Sequence, residues 1–184
     1  MSTGSIEAPC SVIHAAAQSN IMLLAQGAEM IDRLGQEWYE VKVSSCFNSS
    51  VGGHFRHAIE HYQAVLGALL GAEIDYEGRA RDERIECEAA HARDVIDELR
   101  SGLEKILHEQ IQDRPLKIAS ESIEGLKLDT SLARELEFLI SHTVHHFALI
   151  AVIAGAHGVL PPVNFGMAPS TLKYQQTLAS SCAR

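Results

Sequence analysis

Aromatic side chains and basic charge are both scarce in this chain. Only 5% of its 184 residues are Phe, Trp or Tyr, which is too few for a platform that stacks the bases of a single strand. Lys and Arg number 15 against 24 Asp and Glu, so the formal net charge is −9 with histidine neutral. Because nucleic-acid binders draw their affinity from cations that neutralise phosphates, we expect no nucleic-acid partner.

Cysteines are few and widely separated along the sequence. Cys10, Cys46, Cys87 and Cys182 include no pair two or three residues apart, which excludes zinc-knuckle and thiol redox motifs. Four scattered cysteines are typical of reduced thiols in the cytoplasm, and a cytoplasmic localisation is therefore expected. We interpret Cys46 as a buried thiol without a chemical role.

A secretion signal and a long apolar run are also missing. Residues 1–9 have no basic region followed by an apolar one, so no signal peptide is expected. The longest apolar run, 147–160, is shorter than a bilayer requires and contains His157, so we expect no membrane partner. A single domain over residues 1–184 is long enough to bury a full core.

Four long stretches repeat apolar residues every three or four positions, as amphipathic helices do. They predict helices over about 11–34, 50–70, 80–110 and 131–154. Ser50 is the predicted N-cap of the second helix, Thr130 or Ser131 that of the fourth, and Gly35 the stop of the first. Four helices of this length favour an all-α fold, a four-helix bundle.

Less regular structure is predicted between and after these helices. The connector 36–49 is expected to hold a short extended piece. Alternating apolar and polar residues around Gly125 predict a small β-hairpin within 113–129. The tail, 160–184, is predicted to be mostly irregular, with a short helix after Ser170.

Ten histidines are the outstanding feature of the composition, and two of the predicted helices concentrate them. Residues four apart on a helix project from one face, so His142 and His146 can bind the same divalent ion. His57 and His61 are also four residues apart on their helix. A neutral imidazole among apolar neighbours needs a partner for its nitrogens. Hydrogen bonding within the core or exposure to water explains any single histidine, whereas the cluster on two helices favours a metal ion.

The segments SVGGHFRH at 50–57 and HTVHH at 142–146 resemble the DinB family, and the order of the helices is similar over nearly the whole chain. The resemblance implies a four-helix bundle in a mirror-like variant of the up-and-down topology. It also implies a divalent metal ion held between helices by three ligands, usually histidines. One ligand follows a capping serine by about seven residues, and the other two lie four apart on the fourth helix.

Carried over to this chain, the implied ligands are His57, His142 and His146. His54 and His61 are the competitors for the place of His57. Ser49 stands where many relatives carry a tryptophan before the capping serine, so the start of the second helix matches the family less closely. Zinc, nickel, iron and manganese all accept imidazole, so the native metal is left open. His145 points away from the direction of His142 and lies outside the predicted triad.

Three neutral nitrogen ligands leave a coordination position open, as in catalytic metal sites. Because characterised relatives include thiol-dependent transferases and isomerases, the resemblance implies a metal-dependent enzyme with thiol-dependent S-transferase chemistry. A metal-dependent hydrolase and a metal-binding or regulatory bundle without turnover are the alternatives. The expected partners are a small-molecule substrate, a low-molecular-weight thiol and a second copy of the chain in a homodimer.

Charged residues close to the predicted site have two interpretations each. Glu60 and Glu135 are candidate general bases or supports for the ligands, and exposed surface positions are the commoner alternative. The basic candidates to receive a carboxylate of the thiol also fit a solvated face of exposed ion pairs. These candidates are Arg56, Arg79, Arg81 and Arg84.

Overall fold

The computed structural model describes residues 12–44 and 46–182, and the side chains of 179–182 are not described. In this part of the chain the fold is mostly helical with one two-stranded antiparallel hairpin. Its helices are α1 (Val12–Tyr39), α2 (Val51–Leu69), α3 (Glu83–Cys87), α4 (Ala89–His108), α5 (Leu132–Ala156) and α6 (Pro169–Cys182). Its strands are β1 (Pro115–Ala119) and β2 (Lys127–Ser131). The predictions for residues 1–9 and Cys10 lie outside the described residues.

α1 runs past its predicted end at Gly35. Gly35 has φ 67° and ψ 175°, a backbone conformation that glycine adopts without steric cost, and the helix kinks there. The helix then continues to Tyr39, whose side chain is fully buried. The Tyr39 hydroxyl donates a hydrogen bond to the backbone carbonyl of Ile85 at 2.8 Å, so the extra turn is anchored against α3.

The two helices that carry the histidines begin where the sequence predicts. Ser50 caps α2, and its Oγ accepts a hydrogen bond from the backbone N–H of Gly53 at 3.0 Å. Ser131 caps α5, and its Oγ accepts from the backbone N–H of Arg134 at 3.4 Å. Both predictions are confirmed, and they fix where each histidine falls on its helix.

The predicted third helix is divided into α3 and α4. Glu88 separates them with extended backbone angles, φ −118° and ψ 103°. The side chain of Gln36 bridges this break, because its Nε2 donates to the carbonyl of Cys87 and its Oε1 accepts from the N–H of Ala89. These two bonds replace the helical bonds that an uninterrupted helix would have made.

The predicted hairpin is confirmed, with its second strand extending two residues further than expected. β1 and β2 pair in register from Pro115 opposite Ser131 to Ala119 opposite Lys127. Ile74 adds a short parallel bridge to Ile118. The hairpin thus holds the segment after α2 beside the start of α5.

Buried apolar residues of α1, α2, α4 and α5 form the core, with α1 packed against α4 and α5, and α2 against α3, α4 and α5. A buried polar network crosses this core beside the histidines. Tyr62 of α2 donates to Oδ1 of Asn20 at 2.8 Å and accepts from Thr143 of α5 at 3.0 Å. Asn20 also donates to the carbonyl of Leu136 at 2.9 Å. Because these buried groups satisfy one another, they fix α5 relative to α1 and α2.

The remaining segments differ modestly from expectation. An isolated antiparallel bridge between Val43 and Ser49 confirms a short extended piece in the connector. The helix predicted after Ser170 is present as α6, and it is longer than expected. By length and composition alone, α5 also qualifies as a membrane-spanning helix, with a mean hydropathy of 1.6 over its most apolar window, 44% of which is buried. Buried core helices of soluble proteins share these properties.

Candidate metal centre

Five histidines meet where α2 and α5 pack against each other, and we call them the histidine cluster. Neighbouring rings within it have centroids 4.0–5.4 Å apart. The four-residue steps predicted from the sequence place these rings on facing sides of the two helices. The members of the cluster are His54, His57, His61, His142 and His146.

Three members of the cluster offer nitrogen atoms that all lie within 4.8 Å of one another. They are His57, His61 and His142, and we call them the three-histidine group. The Nε2 atoms of His57 and His142 are 3.1 Å apart. A tetrahedral ion about 2.0–2.1 Å from two imidazole nitrogens would leave those nitrogens about 3.4 Å apart. The observed spacing is close to what one shared ion requires.

His61 is held in the orientation that metal ligation needs. Its Nδ1 lies 2.7 Å from the backbone carbonyl oxygen of His57. A carbonyl can only accept, so Nδ1 carries the proton and donates, which leaves the lone pair of neutral His61 on Nε2. Metal-ligating histidines are commonly fixed in this way by a hydrogen bond from the other ring nitrogen.

His57 and His142 share one polar contact, between their Nε2 atoms. Nδ1 of His142 is buried with no hydrogen-bond partner among the described residues. Nδ1 of His57 accepts from the guanidinium of Arg79 at 3.3 Å, so the proton of neutral His57 lies on Nε2 and is donated to His142. For Nε2 of His57 to ligate an ion, this proton must move and the Arg79 contact must open.

Burial keeps all three imidazoles neutral, which is the form that binds metals. Burial, assisted by the positive charge of Arg79, lowers the pKa of His57 to about 4. Burial is also the main cause that lowers the pKa of His61 to about 3 and that of His142 to about 3. At neutral pH the group therefore presents nitrogen donors rather than cations.

His146, the third ligand implied by the resemblance, has a different immediate partner. Its ring lies 4.5 Å from that of His57 and 4.6 Å from that of His142, centroid to centroid. Its Nδ1, however, faces Nδ1 of His54 at 3.1 Å. Burial lowers the pKa of His146 to about 2. The role of His146 as third ligand stays a prediction, while the three-histidine group contains His61 in that place.

Two further residues of the sequence analysis lie beside the cluster. Cys46 is buried, and its Sγ is 3.8 Å from Nε2 of His54, so it contacts the cluster although the sequence suggested no role for it. His145 is exposed, with its ring 5.1 Å from that of His146, and lies outside the three-histidine group.

Two aromatic rings cover the three-histidine group on one side. Tyr76 stacks on His61 with centroids 4.5 Å apart, and Phe138 stacks on His142 at 5.3 Å. A cavity of about 360 Å³ lies beyond them, between the hairpin and α5. Phe138 precedes His142 by four residues, so helical spacing could have placed it beside the site, whereas no spacing rule connects Tyr76 with the histidines.

Both candidate carboxylates are buried, so the interpretation as exposed surface residues is wrong. Glu60 accepts from Arg79 at 3.1 Å and from the backbone N–H of Asp82 at 2.9 Å. Glu135 accepts from the hydroxyls of Tyr76 and Thr130, each at 2.6 Å. Each carboxylate holds a residue that touches a histidine, which is a supporting role rather than that of a free base.

The four candidate arginines are placed very differently. Arg79 is 12% exposed and contacts both Glu60 and His57. Arg56 pairs with Glu86, and Arg84 pairs with Glu88 at the surface. Arg81 is exposed. Among the described residues, Arg79 is thus the one member of the four that contacts the three-histidine group.

Comparison with known proteins finds little similarity. No family model and no solved structure matches the chain. FK506-binding protein 5 of Rhizopus delemar is 27% identical over 121 residues, which cover 63% of this chain and 31% of that protein. The chain therefore spans less than a third of the length of this relative, and the similarity does not show a family.

Proposed function

We propose that the protein is a metal-dependent enzyme of the DinB type, which uses a divalent ion to promote attack of a small thiol on an electrophilic substrate. The ion would bind the three-histidine group. The observation that carries this proposal is the convergence of these histidines from α2 and α5, with the Nε2 atoms of His57 and His142 3.1 Å apart.

The arrangement of the long helices supports a four-helix bundle of the DinB kind. α1, α2, α4 and α5 have 28, 19, 20 and 25 residues, and each packs against at least two of the others. In this interpretation α3 is a short turn of helix that leads into α4. Ligand sites in such bundles are built from side chains on facing helices, as α2 and α5 are here.

Neutral nitrogen donors bind zinc, nickel, iron and manganese, and three imidazoles do not distinguish among these metals. A bound ion would supply an open coordination position at which a thiol is held as its reactive thiolate. The chain would position this ion through the hydrogen bond from His61 to the carbonyl of His57. Tyr76 and Phe138 would exclude water from one side of the group.

The cavity beyond Tyr76 and Phe138 is the proposed place for the substrate. No histidine in the described part of the chain lines this cavity, so one of the two rings would have to move aside for the thiol to reach the ion. Arg134 lines it with a side chain that is 60% exposed, and the Arg134 guanidinium lies 5.1 Å from the centre of the Phe138 ring.

Low-molecular-weight thiols commonly carry a carboxylate, which a guanidinium binds well. Arg134 is more accessible for this role than Arg79, because Arg79 is largely buried and engaged by Glu60. Arg134 also pairs with Glu135 at 2.9 Å, so a thiol carboxylate would compete with that ion pair.

The test is conjugation of a chlorodinitrobenzene with a series of thiols, with and without added metal. In this reaction a carbon–sulfur bond forms, chloride leaves and the thiol proton passes to the buffer. We expect wild-type protein to accelerate conjugation only when both metal and thiol are present. His142→Ala should lose this acceleration and the exposed control His145→Ala should keep it.

Two other outcomes would contradict the proposal. Metal-dependent cleavage of an ester without any thiol would instead indicate a hydrolase. Metal binding without turnover of either kind would indicate a metal-binding protein that is not an enzyme.

A further inference from the structure

We propose that the histidine cluster binds a second divalent ion, between His54 and His146. This inference rests on the proposed metal site at the three-histidine group, which it extends to a two-metal centre. His54 and His146 are the two members of the cluster that are not ligands of the first ion.

The two pairs of facing nitrogens have the same spacing. Nδ1 of His54 and Nδ1 of His146 are 3.1 Å apart, as are the Nε2 atoms of His57 and His142. Both pairs join α2 to α5, and they lie about one helical turn apart. Nitrogens at this spacing can share one ion, once Nδ1 of His146 has lost the proton that it donates to His54.

Cys46 orients His54 for ligation, as the backbone carbonyl of His57 orients His61. The Sγ of Cys46 lies 3.8 Å from Nε2 of His54, and both residues are buried, with 5% and 8% exposure. A proton on Nε2 can be donated to this sulfur, which leaves the lone pair of His54 on Nδ1, facing His146. Such outer contacts commonly orient metal-ligating histidines.

The two positions are neighbours because His57 and His146 connect them, with ring centroids 4.5 Å apart. Only two side chains are assigned to the second ion, so its remaining positions must be filled by water or by a thiolate. We therefore expect the second ion to bind more weakly than the first.

The experiment is equilibrium dialysis of the untagged full chain against increasing zinc or cobalt, followed by elemental analysis of metal per chain. Wild type should bind two ions in two steps. His54→Ala should bind one, and the control His145→Ala should bind two. One ion in wild type, or two in His54→Ala, would overturn the second position and leave the proposed function standing, whereas no ion in wild type would overturn both.

A matched pair of cysteine variants gives an independent check that does not require removing a histidine. Cys46→Ser should weaken the second binding step about 10-fold or more, as loss of an outer partner does at other sites. Cys87→Ser, at an exposed free cysteine, should leave both steps unchanged. Equal second-step affinities in the two variants would overturn the role given to Cys46. Circular dichroism of every variant would verify that it is folded.

Discussion

His61 and His146 stand in the same relation to their helices, each four residues after a predicted ligand, yet their nitrogens meet different partners. Nδ1 of His61 donates to the carbonyl of His57. Nδ1 of His146 faces His54 instead. At the scale of single residues, the chemistry of the site therefore depends on which nitrogen each ring presents and to what.

A first residue-scale prediction compares two histidines of α5. His142→Ala should lower the metal content by one ion per chain, because it removes a nitrogen of the three-histidine group. His145→Ala should leave the content unchanged, since this side chain is exposed and outside the group. Elemental analysis of the dialysed proteins measures both. Equal metal content in the two variants would remove His142 from the site.

A second prediction separates the two candidates for the third ligand. His61→Ala should weaken binding of the tighter ion by more than about 100-fold, a larger loss than removal of an outer partner causes. His146→Ala should leave the tighter ion in place. Competition against a chromophoric chelator gives both affinities. The reverse result would restore the triad that the family resemblance implies.

The sequence could predict part of this site for a clear physical reason. Helical spacing places His57 and His142 on defined faces, and the structure brings both into the three-histidine group. Spacing cannot say which ring nitrogen is free, because that depends on tertiary contacts such as the one between Arg79 and His57. The same limit explains why the contact of Cys46 with His54 was missed.

At the scale of secondary-structure elements, the first turn of α2 packs closely on α3. A Cβ on Gly52 would overlap the backbone carbonyl of Glu86 and lie 2.7 Å from the Tyr39 ring. Backbone cannot give way as a flexible side chain can, so α2 would have to shift. Gly52 therefore allows the close approach that sets the position of the helix carrying three histidines.

Gly52→Ala should destabilise the protein by about 1–3 kcal/mol, the usual cost of overpacking a core. The control is Gly67→Ala near the end of the same helix, where the nearest atom to a new Cβ is 3.9 Å away. That change should be neutral or stabilising by up to about 1 kcal/mol, because alanine favours helix. Urea denaturation compares the two. An unchanged free energy of unfolding in Gly52→Ala would contradict the packing described here.

Helix beginnings were predictable and the break between α3 and α4 was not. Ser50 and Ser131 act through local hydrogen bonds, which the sequence shows directly. The apolar stripe of the predicted third helix runs on through Ile85 and Ala89, so periodicity gave no sign of the extended Glu88. The break is bridged by Gln36, about fifty positions away along the chain, and only the folded structure reveals such a partner.

At the scale of the whole molecule, the buried His61 and the half-buried His57 and His142 make stability depend on pH. Their pKa values of about 4 for His57 and about 3 for both His61 and His142 lie below the 6.5 of an ordinary histidine. As pH falls below 6.5, the unfolded chain takes up protons that the folded protein does not. The contribution of these residues to stability is therefore complete above pH 6.5 and is lost progressively as pH falls toward 3.

The free energy of unfolding, measured by urea denaturation with a chelator present, should decrease between pH 6.5 and pH 4.5. The slope contributed by each such histidine approaches about 1.4 kcal/mol per pH unit. His61→Gln should flatten the profile, whereas His145→Gln, at an exposed position, should leave it parallel to wild type. A wild-type profile that is flat over this range would contradict the burial of the cluster as neutral imidazoles.

The most direct test of the central claim is an anomalous-difference map from a crystal grown with added zinc or cobalt. We predict a peak about 2.0–2.1 Å from the Nε2 atoms of His57 and His142, with His61 as the third protein ligand. The same map would show whether His146 takes that third place. A metal-loaded crystal with no anomalous peak between His57 and His142 would contradict the metal site at the three-histidine group.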